Sequence, residues 1–149
     1  FLSFVRGEVD KYQVNPANIT VELTESCIVS NVNFLNKIFS SLQELGIRIA
    51  MDDFGVGYSS LSVLKETSLD IVKIDQVFVK DIIHRDFDLI FIQSVVALCH
   101  SANKRVCLEG IETEEEYRTV CSAHPDFIQG YYFGRPVSAG GIEKLLIKE

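Results

Sequence analysis

The sequence predicts an α/β fold in which helices cover a parallel β-sheet. Segments with strand and helix patterns alternate five times along the 149 residues. The strand segments are rich in Ile, Val and Leu, as expected when both faces of a parallel sheet are buried. Polar side chains follow each strand segment, at the edge where parallel sheets place their chemistry. A content of 47% hydrophobic and 23% charged residues suits one globular domain with a substantial core.

Apolar periodicity and capping residues predict the element boundaries. Strands are predicted at residues 18–25, 47–51, 69–74, 104–110 and 126–130. The helices after them are predicted at 31–45, from Ser59 or Ser60 to Lys65, at 86–102, from Thr113 to Ala123, and at 138–148. Gly46 ends the first of these helices, and Thr113 with Glu116 has the spacing of a capping box. The opening residues, "FLSFVRGEV", have the pattern of a helix interior.

Polar side chains mark the carboxyl end of every predicted strand. In order, they are Glu22 and Glu25, Asp52 and Asp53, Lys73 and Asp75, Glu109 and Glu112, and Gln129. An open doubly wound sheet and a closed barrel both place functional groups at this edge. Because an open sheet usually concentrates its site at one switch point, polar groups at the ends of successive strands favour a closed barrel.

The acidic side chains at these strand ends predict a site for two divalent metal ions. The carboxylates concerned are Glu22, Asp52, Asp53 and Glu109. Carboxylates without cations repel one another, and Lys73 alone cannot balance four of them. Oxygen ligands favour Mg²⁺, Mn²⁺ or Ca²⁺ over zinc, and adjacent aspartates can serve two ions about 3.5–4 Å apart. We expect Asp52 to bridge the ions and Asp53 to bind one. We expect Lys73 to orient the attacking water, and Glu109 to bind metal or accept the water proton.

Each of these signals also has a purely structural interpretation. Paired aspartates often form a solvated turn, Glu22 and Glu25 can be surface residues, and Lys73 can extend its ammonium group to solvent. The aromatic residues interpreted as core or barrel floor, rather than as a nucleobase stack, are Phe127, Tyr131, Tyr132 and Phe133. Polar residues occur at the carboxyl end of the strand in four successive strand–helix units, and this repetition favours the functional interpretation. Gly55 and Gly57 then let the following loop fold over the site.

Composition argues against several other classes of protein. The net charge of −7 disfavours binding of a nucleic-acid polymer through a basic surface. None of the four cysteines forms a C-x-x-C pair, so we expect reduced thiols in a cytoplasmic protein, without zinc or a disulfide framework. No apolar run approaches the ~20 residues of a membrane span, and no signal-peptide pattern is present.

Five motifs follow one another in the order and at the intervals of a known family. They are "VELTES" at 21–26, "DDFGVGYSSL" at 52–61, "VKID" at 72–75 with Phe78 after it, "EGIET" at 109–113 and "QGYYFGRP" at 129–136. Together they closely resemble the EAL domain of cyclic di-GMP phosphodiesterases, over residues 1–149 as a single domain. The resemblance implies a modified (β/α)8, or TIM-like, barrel that hydrolyses cyclic di-GMP to pGpG with two Mg²⁺ or Mn²⁺ ions. It also implies a homodimer.

The resemblance further implies roles for individual residues. The implied metal ligands are Glu22, Asp52, Asp53 and Glu109, with Asp52 as the bridging ligand. The implied catalytic residues are Lys73 and Gln129, near the hydrolytic water, and Glu109, as the general base. The implied loop-anchoring and regulatory residues are Glu25, Gly55, Gly57, Ser59 and Glu112, and Glu25 anchors the loop that couples substrate binding to dimerisation. The implied substrate-binding residues are Asp75, Gln129 and Arg135, the last in the closing Arg-Pro dipeptide.

The chain departs from the family pattern in two places. Val56 stands where the family commonly has Thr, a change of small expected effect. The E-A-L tripeptide is absent, and nothing in residues 1–18 replaces it. We therefore expect strands with this glutamate and a metal-binding asparagine to precede Phe1. The chain would then be the C-terminal portion of an EAL domain, with about five of the ~8 barrel strands and little activity alone.

Two functions follow for a parent protein of this kind. The first is hydrolysis of cyclic di-GMP, with an upstream sensor or GGDEF-type domain as the expected neighbour and any membrane anchor in the N-terminal regions. The second is a catalytically degenerate EAL module that acts as a cyclic di-GMP receptor or binds a protein partner. Retention of the acidic, lysine and glutamine set favours the enzyme.

Overall fold

The computed structural model describes residues 1–57 and 61–146, and its centre is one parallel sheet. The strands are β1 (Thr20–Thr24), β2 (Arg48–Phe54), β3 (Ile71–Ile74), β4 (Arg105–Leu108) and β5 (Phe127–Ile128). They pair in the order of the sequence, and every pair is parallel. The predicted α/β class with a parallel sheet is thus confirmed.

Helices flank these strands and connect each strand to the next. They are α1 (Leu2–Tyr12), α2 (Glu25–Ser30), α3 (Val32–Glu44), α4 (Leu61–Glu66), α5 (Asp86–Ser101), α6 (Glu114–Cys121) and α7 (Ala139–Leu146). Short 3₁₀ turns at Pro16–Asn18 and Gln76–Phe78 precede β1 and follow β3. In the part of the chain that the structure describes, none of the helices has both the length and the apolar character needed to cross a membrane.

The main hydrophobic core lies between the sheet and the helices. Strand alternation sends Val72 and Ile74 of β3 into it, beside side chains from β2, β4, α3 and α5. The opposite face of the sheet carries a smaller cluster of Ala50, Ile71 and Cys107. All four residues of β3 are buried, so a charged side chain on this central strand is held away from water.

The second strand continues past its predicted end at Met51. Asp52 and Asp53 lie within β2, which runs to Phe54. The pairing of β2 with β3 is irregular between Met51 and Phe54, and Asp53 has a left-handed backbone with φ of 58°. An irregularity of this kind re-aims side chains at the end of a strand. The two consecutive aspartates can therefore face different surroundings.

Other boundaries differ from the prediction for local reasons. Helix α2 was not predicted, because a helix of six residues is too short to show a clear period. Strands β1, β3, β4 and β5 are shorter than the predicted segments, because strand-like residues also lie outside the paired positions. The predicted cap at Ser59 or Ser60 and the end of the last predicted helix at 148 lie outside the described residues.

Helix termini agree with the predicted capping signals. The Thr113 hydroxyl accepts a hydrogen bond from the Glu116 N–H (3.2 Å), and the Glu116 carboxylate accepts one from the Thr113 N–H (2.9 Å). This reciprocal pair is the predicted capping box. Gly46 has φ of 88° just after α3, a conformation that favours glycine. The opening residues form α1, as their apolar pattern predicts.

Candidate active site

The ammonium group of Lys73 lies at the centre of a cluster of acidic side chains. Its Nζ atom is 2.8 Å from Glu22 Oε2, 3.0 Å from Asp52 Oδ1 and 2.7 Å from Glu109 Oε1. The Lys73 side chain is only 8% exposed, so the interpretation of a lysine that reaches into solvent is wrong. The parallel sheet thus gathers side chains from β1, β2, β3 and the end of β4 that are far apart in the sequence.

Strand register explains why these four side chains share one face. Glu22 pairs with Ala50, and Asp52 follows Ala50 by two positions, so all three belong to the same face of the sheet. The pairing of β3 with β4 places Lys73 and Glu109 on this face by the same period of two. The face is the one opposite the main core.

Opposing electrostatic effects set the charge states in this cluster. Burial alone would lower the pKa of Lys73, but the interactions with the carboxylates of Glu109, Glu22 and Asp52 outweigh burial and raise that pKa. Burial raises the pKa of Glu109, and repulsion from Asp52 and Glu22 adds to this effect while Lys73 opposes it. One ammonium group faces three carboxylates. The cluster therefore has more negative than positive charge.

Asp53 lies apart from the Lys73 cluster, on the wall of an adjoining cavity of about 270 Å³. Desolvation raises the pKa of Asp53, and repulsion from Asp52 and Asp75 raises it further. The cavity is lined by Asp53, Asp75, Gln76, Glu109, Gly110, Glu112, Gln129, Gly130 and Tyr131. Glu109 belongs both to the cavity and to the cluster, so the two form one continuous site.

Glu25 anchors the loop that follows β2. Its side chain is buried, with 3% of the residue exposed, and its Oε2 atom accepts a hydrogen bond from the Gly55 N–H at 3.0 Å. A Cβ atom at Gly57 would lie 2.4 Å from Glu25 Oε1, and one at Gly55 would lie 2.6 Å from the Phe78 ring. Both glycines therefore let the loop pack closely, Gly57 against Glu25 and Gly55 against Phe78. Ser59 lies outside the described residues.

The segment after β5 is held tightly against the loop after β4. The Ile111 N–H donates to the Gln129 carbonyl (3.3 Å), and the Tyr132 N–H donates to the Ile111 carbonyl (3.0 Å). A Cβ atom at Gly130 would lie 2.0 Å from the Ile111 oxygen, so only glycine allows this approach. These contacts position Gln129 on the same cavity as Glu109.

Of the remaining predicted residues, Asp75 and Glu112 line the cavity, and Arg135 contacts Tyr131 on its wall. Asp75 Oδ1 accepts a hydrogen bond from the Val77 N–H at 2.8 Å, which caps the 3₁₀ turn after β3. Glu112 is part of the cavity wall. The guanidinium carbon of Arg135 lies 4.4 Å from the centre of the Tyr131 ring.

The aromatic residues near the end of the chain are not core, contrary to the expectation from sequence. Their exposed fractions are 38% for Phe127, 48% for Tyr131, 39% for Tyr132 and 58% for Phe133. Tyr132 and Phe133 pack against Tyr117 of α6, with ring centres 5.3 and 5.7 Å from it. Because β5 ends at Ile128, Tyr131, Tyr132 and Phe133 lie beyond the strand, where alternation no longer predicts burial, and Phe127 is the first residue of this two-residue strand.

Tyr131 and Gln76 line the cavity, although neither was predicted as a site residue. A signal was available for each, because Tyr131 follows Gln129 by two positions and Gln76 directly follows Asp75 at the end of β3. Neither residue carries a charge, so a pattern of acidic residues does not identify it.

The chemistry of the acidic cluster fits a hard divalent cation. All candidate ligands are carboxylates, the ligand type that Mg²⁺, Mn²⁺ and Ca²⁺ prefer. Asp52 Oδ1 is buried and has no well-aligned hydrogen bond within the described residues, despite lying 3.0 Å from Lys73 Nζ. In their present positions, however, no three Asp, Glu, His or Cys side chains among the described residues form a metal site. The Lys73 ammonium group instead lies between the carboxylates.

Similar sequences include a signaling protein and a cyclic di-GMP phosphodiesterase. Signaling protein YkoW of Bacillus subtilis is 35% identical over 148 residues, which cover 99% of this chain and 18% of the relative. Cyclic di-GMP phosphodiesterase NbdA of Pseudomonas aeruginosa is 31% identical over 142 residues, which cover 95% of this chain and 18% of the relative. The chain thus spans less than a fifth of the length of either protein.

Solved structures of EAL proteins have the same fold. The EAL domain of Mycobacterium smegmatis DcpA superposes with a TM-score of 0.92 at 30% identity, over 99% of this chain and 66% of that one. Klebsiella pneumoniae BlrP1, in a complex with manganese and cyclic di-GMP, superposes with a TM-score of 0.85 at 30% identity, over 91% of this chain and 34% of that one. These neighbours are EAL domains of TIM-like barrel fold, which confirms the predicted fold class. The family model of the EAL domain matches residues 1–136, and the chain therefore belongs to the EAL domain family.

Proposed function

We propose that this chain is part of an enzyme that hydrolyses cyclic di-GMP to pGpG. The observation that carries the proposal is the convergence of three carboxylates on the buried Lys73 ammonium, beside a cavity of about 270 Å³. Family membership supports the substrate, since NbdA is named a cyclic di-GMP phosphodiesterase and BlrP1 binds cyclic di-GMP. A module that only bound the nucleotide would not need a lysine buried among acids.

Three side chains have chemical roles in this proposal. Lys73 donates a hydrogen bond to the attacking water and orients it. Glu109 accepts the proton of that water, since its carboxylate belongs both to the Lys73 cluster and to the wall of the cavity. Gln129, held on the same cavity by the contacts of the Gly130 segment, orients the water or a phosphate oxygen through its amide.

Divalent cations complete the proposed site. Glu22, Asp52, Asp53 and Glu109 are the residues that would hold them, and Mg²⁺ or Mn²⁺ are the ions proposed. When bound, such ions supply positive charge that acidifies water and stabilises a phosphate ester under attack. The excess of carboxylates over ammonium groups in the Lys73 cluster supports this assignment.

The test is an assay of the intact protein that contains this sequence, with cyclic di-GMP and Mg²⁺ or Mn²⁺. We expect pGpG to form, and Asp52→Asn to lower the rate by about 100-fold or more, because it removes a carboxylate at the centre of the site. Asp10→Asn, on the exposed face of α1, is the matched control and should leave the rate unchanged.

The alternative function is a receptor without turnover. Tight binding of cyclic di-GMP with no pGpG, and no difference between wild type and Asp52→Asn, would replace the proposed enzyme by that receptor. Nothing in the geometry favours it, since the acidic cluster and Gln129 are both present at one cavity.

We also propose the setting of this domain. The intact protein would act as a homodimer, with a sensor or GGDEF-type domain before this segment. A cytoplasmic location is supported by the four cysteines, Cys27, Cys99, Cys107 and Cys121, which are all free thiols. Burial raises the pKa of Cys99 and of Cys107 to about 11, so both are unreactive core residues.

A further inference from the structure

We propose that Phe91 of α5 is a positioning residue for the loop that follows β2, an inference that rests on the function proposed above and deepens it. The described wall of the cavity does not include Phe91, so this residue acts on the site through others. Its ring stacks on that of Phe78, with ring centres 4.2 Å apart and planes 20° from parallel. Both rings lie beside Gly55, the first residue after β2.

The backbone at Gly55 faces the edges of both rings. A Cβ atom built there would lie 2.6 Å from Phe78 Cε2, 3.0 Å from Phe78 Cζ and 3.3 Å from Phe91 Cζ. Phe78 belongs to a 3₁₀ turn of only three residues, Gln76–Phe78. Because so short a turn has little stability of its own, the direction of the Phe78 ring depends on the side chain stacked on it.

Phe91 is a firm support because it belongs to a long helix that is fixed in the core. Its neighbour Ile92 is fully buried. The other buried apolar residues on the same side of α5 are Val95, Val96 and Cys99. The Phe91 and Phe78 rings pack against this core from its edge. Since stacked rings prefer a defined offset geometry, a fixed Phe91 restricts the movement of Phe78.

A polar contact holds Gly55 from another element. The Gly55 N–H donates a hydrogen bond to Glu25 Oε2 at 3.0 Å, from the first turn of α2. A single hydrogen bond allows rotation about its axis, and the ring pair blocks that rotation where it lies against the Gly55 backbone. The start of the loop is therefore fixed by two contacts of different kinds, one with α2 and one with α5.

These contacts reach the site through Asp53, two residues before Gly55. Asp53 lines the cavity and has φ of 58°, a conformation that residues other than glycine adopt only where their surroundings hold them. Phe54, between the two, is buried in the core with 4% exposed. A displacement of Gly55 would therefore be transmitted to the Asp53 backbone and would turn its carboxylate away from the cavity.

Hydrogen–deuterium exchange, measured by mass spectrometry on the intact protein that contains this sequence, tests the support of the loop. We expect Phe91→Leu to speed exchange of residues 52–57 by about tenfold, because the Gly55 N–H opens more often, and to leave α3 unchanged. Phe91→Tyr keeps the ring and should exchange within about twofold of wild type. Phe34→Leu, 58% exposed on α3, is the matched control for loss of a phenyl ring.

The Mn²⁺ requirement of the pGpG assay tests whether the loop position reaches the site. We expect Phe91→Leu to raise the Mn²⁺ concentration at half-maximal rate by about tenfold, because the residues that support a metal ligand tune its affinity. The rate at saturating Mn²⁺ should stay within about threefold of wild type, because the groups that act on the water are unchanged. A general loss of stability would lower the rate at every Mn²⁺ concentration instead.

The outcomes separate this inference from the function on which it rests. Wild-type exchange of residues 52–57 in Phe91→Leu, exchange raised equally in α3, or an unchanged Mn²⁺ requirement would overturn the positioning role. Faster exchange confined to 52–57, with a shifted Mn²⁺ requirement that Phe91→Tyr does not show, would support it. If the wild-type protein forms no pGpG, the phosphodiesterase proposal fails, and the exchange measurement still decides whether Phe91 positions the loop.

Discussion

A single lysine carries the positive charge at the centre of the site. Lys73 is buried on the central strand and touches Glu22, Asp52 and Glu109 at 2.7–3.0 Å. In water one such ion pair contributes little, but these charges are partly desolvated and share one partner. The side chain of Glu22 is the most exposed of the three acids, at 45%, so its share of the interaction is the most weakened by solvent.

We predict that Lys73→Met destabilises the protein by on the order of 3 kcal/mol, because three carboxylates lose their shared counter-charge. Added Mn²⁺ should restore part of this loss if the acids can hold a cation. The measurement is urea unfolding of wild type and variant, with and without Mn²⁺. Lys37→Met, on the exposed side of α3, is the control. A variant as stable as wild type without metal would contradict the interpretation of the cluster.

Short segments after β4 and β5 position the polar residues of the cavity. Their contact depends on Gly130, which lies against the backbone of Ile111. Backbone groups cannot move as a flexible side chain can, so this contact admits no Cβ atom without displacement of a whole segment. The two segments therefore act as one unit that carries both Glu109 and Gln129.

We predict that Gly130→Ala destabilises the protein by about 2 kcal/mol and lowers activity, because the segment with Gln129 must shift. Gly134→Ala is the matched control, since a Cβ atom at Gly134 meets nothing within 4 Å. The control should lie within about 0.5 kcal/mol of wild type. Thermal unfolding and the pGpG assay test both variants. Equal stability of the two variants would contradict the close approach.

A second contact joins α5 to the strands β4 and β5. Asp126 Oδ2 lies 2.8 Å from His100 Nε2 and accepts a hydrogen bond from the Val106 N–H at 2.7 Å. Burial would raise the pKa of Asp126, but the hydrogen bonds from His100 and Val106 outweigh it and lower that pKa. His100 therefore has a structural role, since it connects α5 to the start of β5 through Asp126.

The lowered pKa of Asp126 predicts how stability depends on pH. An acid whose pKa is lower in the folded state stabilises that state when ionised. The contribution of Asp126 to the free energy of unfolding is therefore fully present above its ordinary pKa of 3.8. It is lost as the pH falls through the lower pKa of the folded state. We expect Asp126→Asn to lower the free energy of unfolding by about 1 kcal/mol near neutral pH. This difference from wild type should shrink as the pH falls below 3.8.

Urea unfolding at a series of pH values tests this expectation. Asp81→Asn is the control, because Asp81 belongs to an exposed pair with Arg85 and its loss should cost little at any pH. A difference between Asp126→Asn and wild type that stays constant down to low pH would contradict the proposed origin of the effect.

At the scale of the whole molecule, the sheet has two edges. Within the described residues β1 and β5 each pair on one side only. The face opposite the main core is also open, with a cavity of about 340 Å³ that includes Ala50, Ile71 and Cys107 in its walls. Unpaired strand edges are sites of association, and Phe127, which is exposed on the wall of this cavity, adds apolar surface beside the β5 edge.

We predict that these 149 residues, prepared alone, associate with rising concentration. Sedimentation velocity over a range of concentrations is the measurement. Thr20→Lys, which puts a charge on the edge strand β1, should reduce association. A monodisperse monomer of wild type at all concentrations would contradict this prediction.

Sequence alone determined the order of the elements, the parallel α/β class and most of the candidate site. These follow from local patterns, because apolar periodicity, caps and the polar residues at strand ends are all readable over a few positions. Local patterns could not predict the different surroundings of Tyr131, Tyr132 and Phe133. Consecutive aromatic residues give no signal that tells which one lines a cavity and which ones pack against a helix.

Only the tertiary structure decided which groups meet. It placed Lys73 among three carboxylates, turned Asp53 away from Asp52 onto the cavity, and set Tyr131 against Arg135. Strand pairing brings together residues that are distant along the chain, and a local irregularity in β2 changes the direction of one side chain relative to the next. Neither effect has a local signature, so the geometry of the site is a property of the fold.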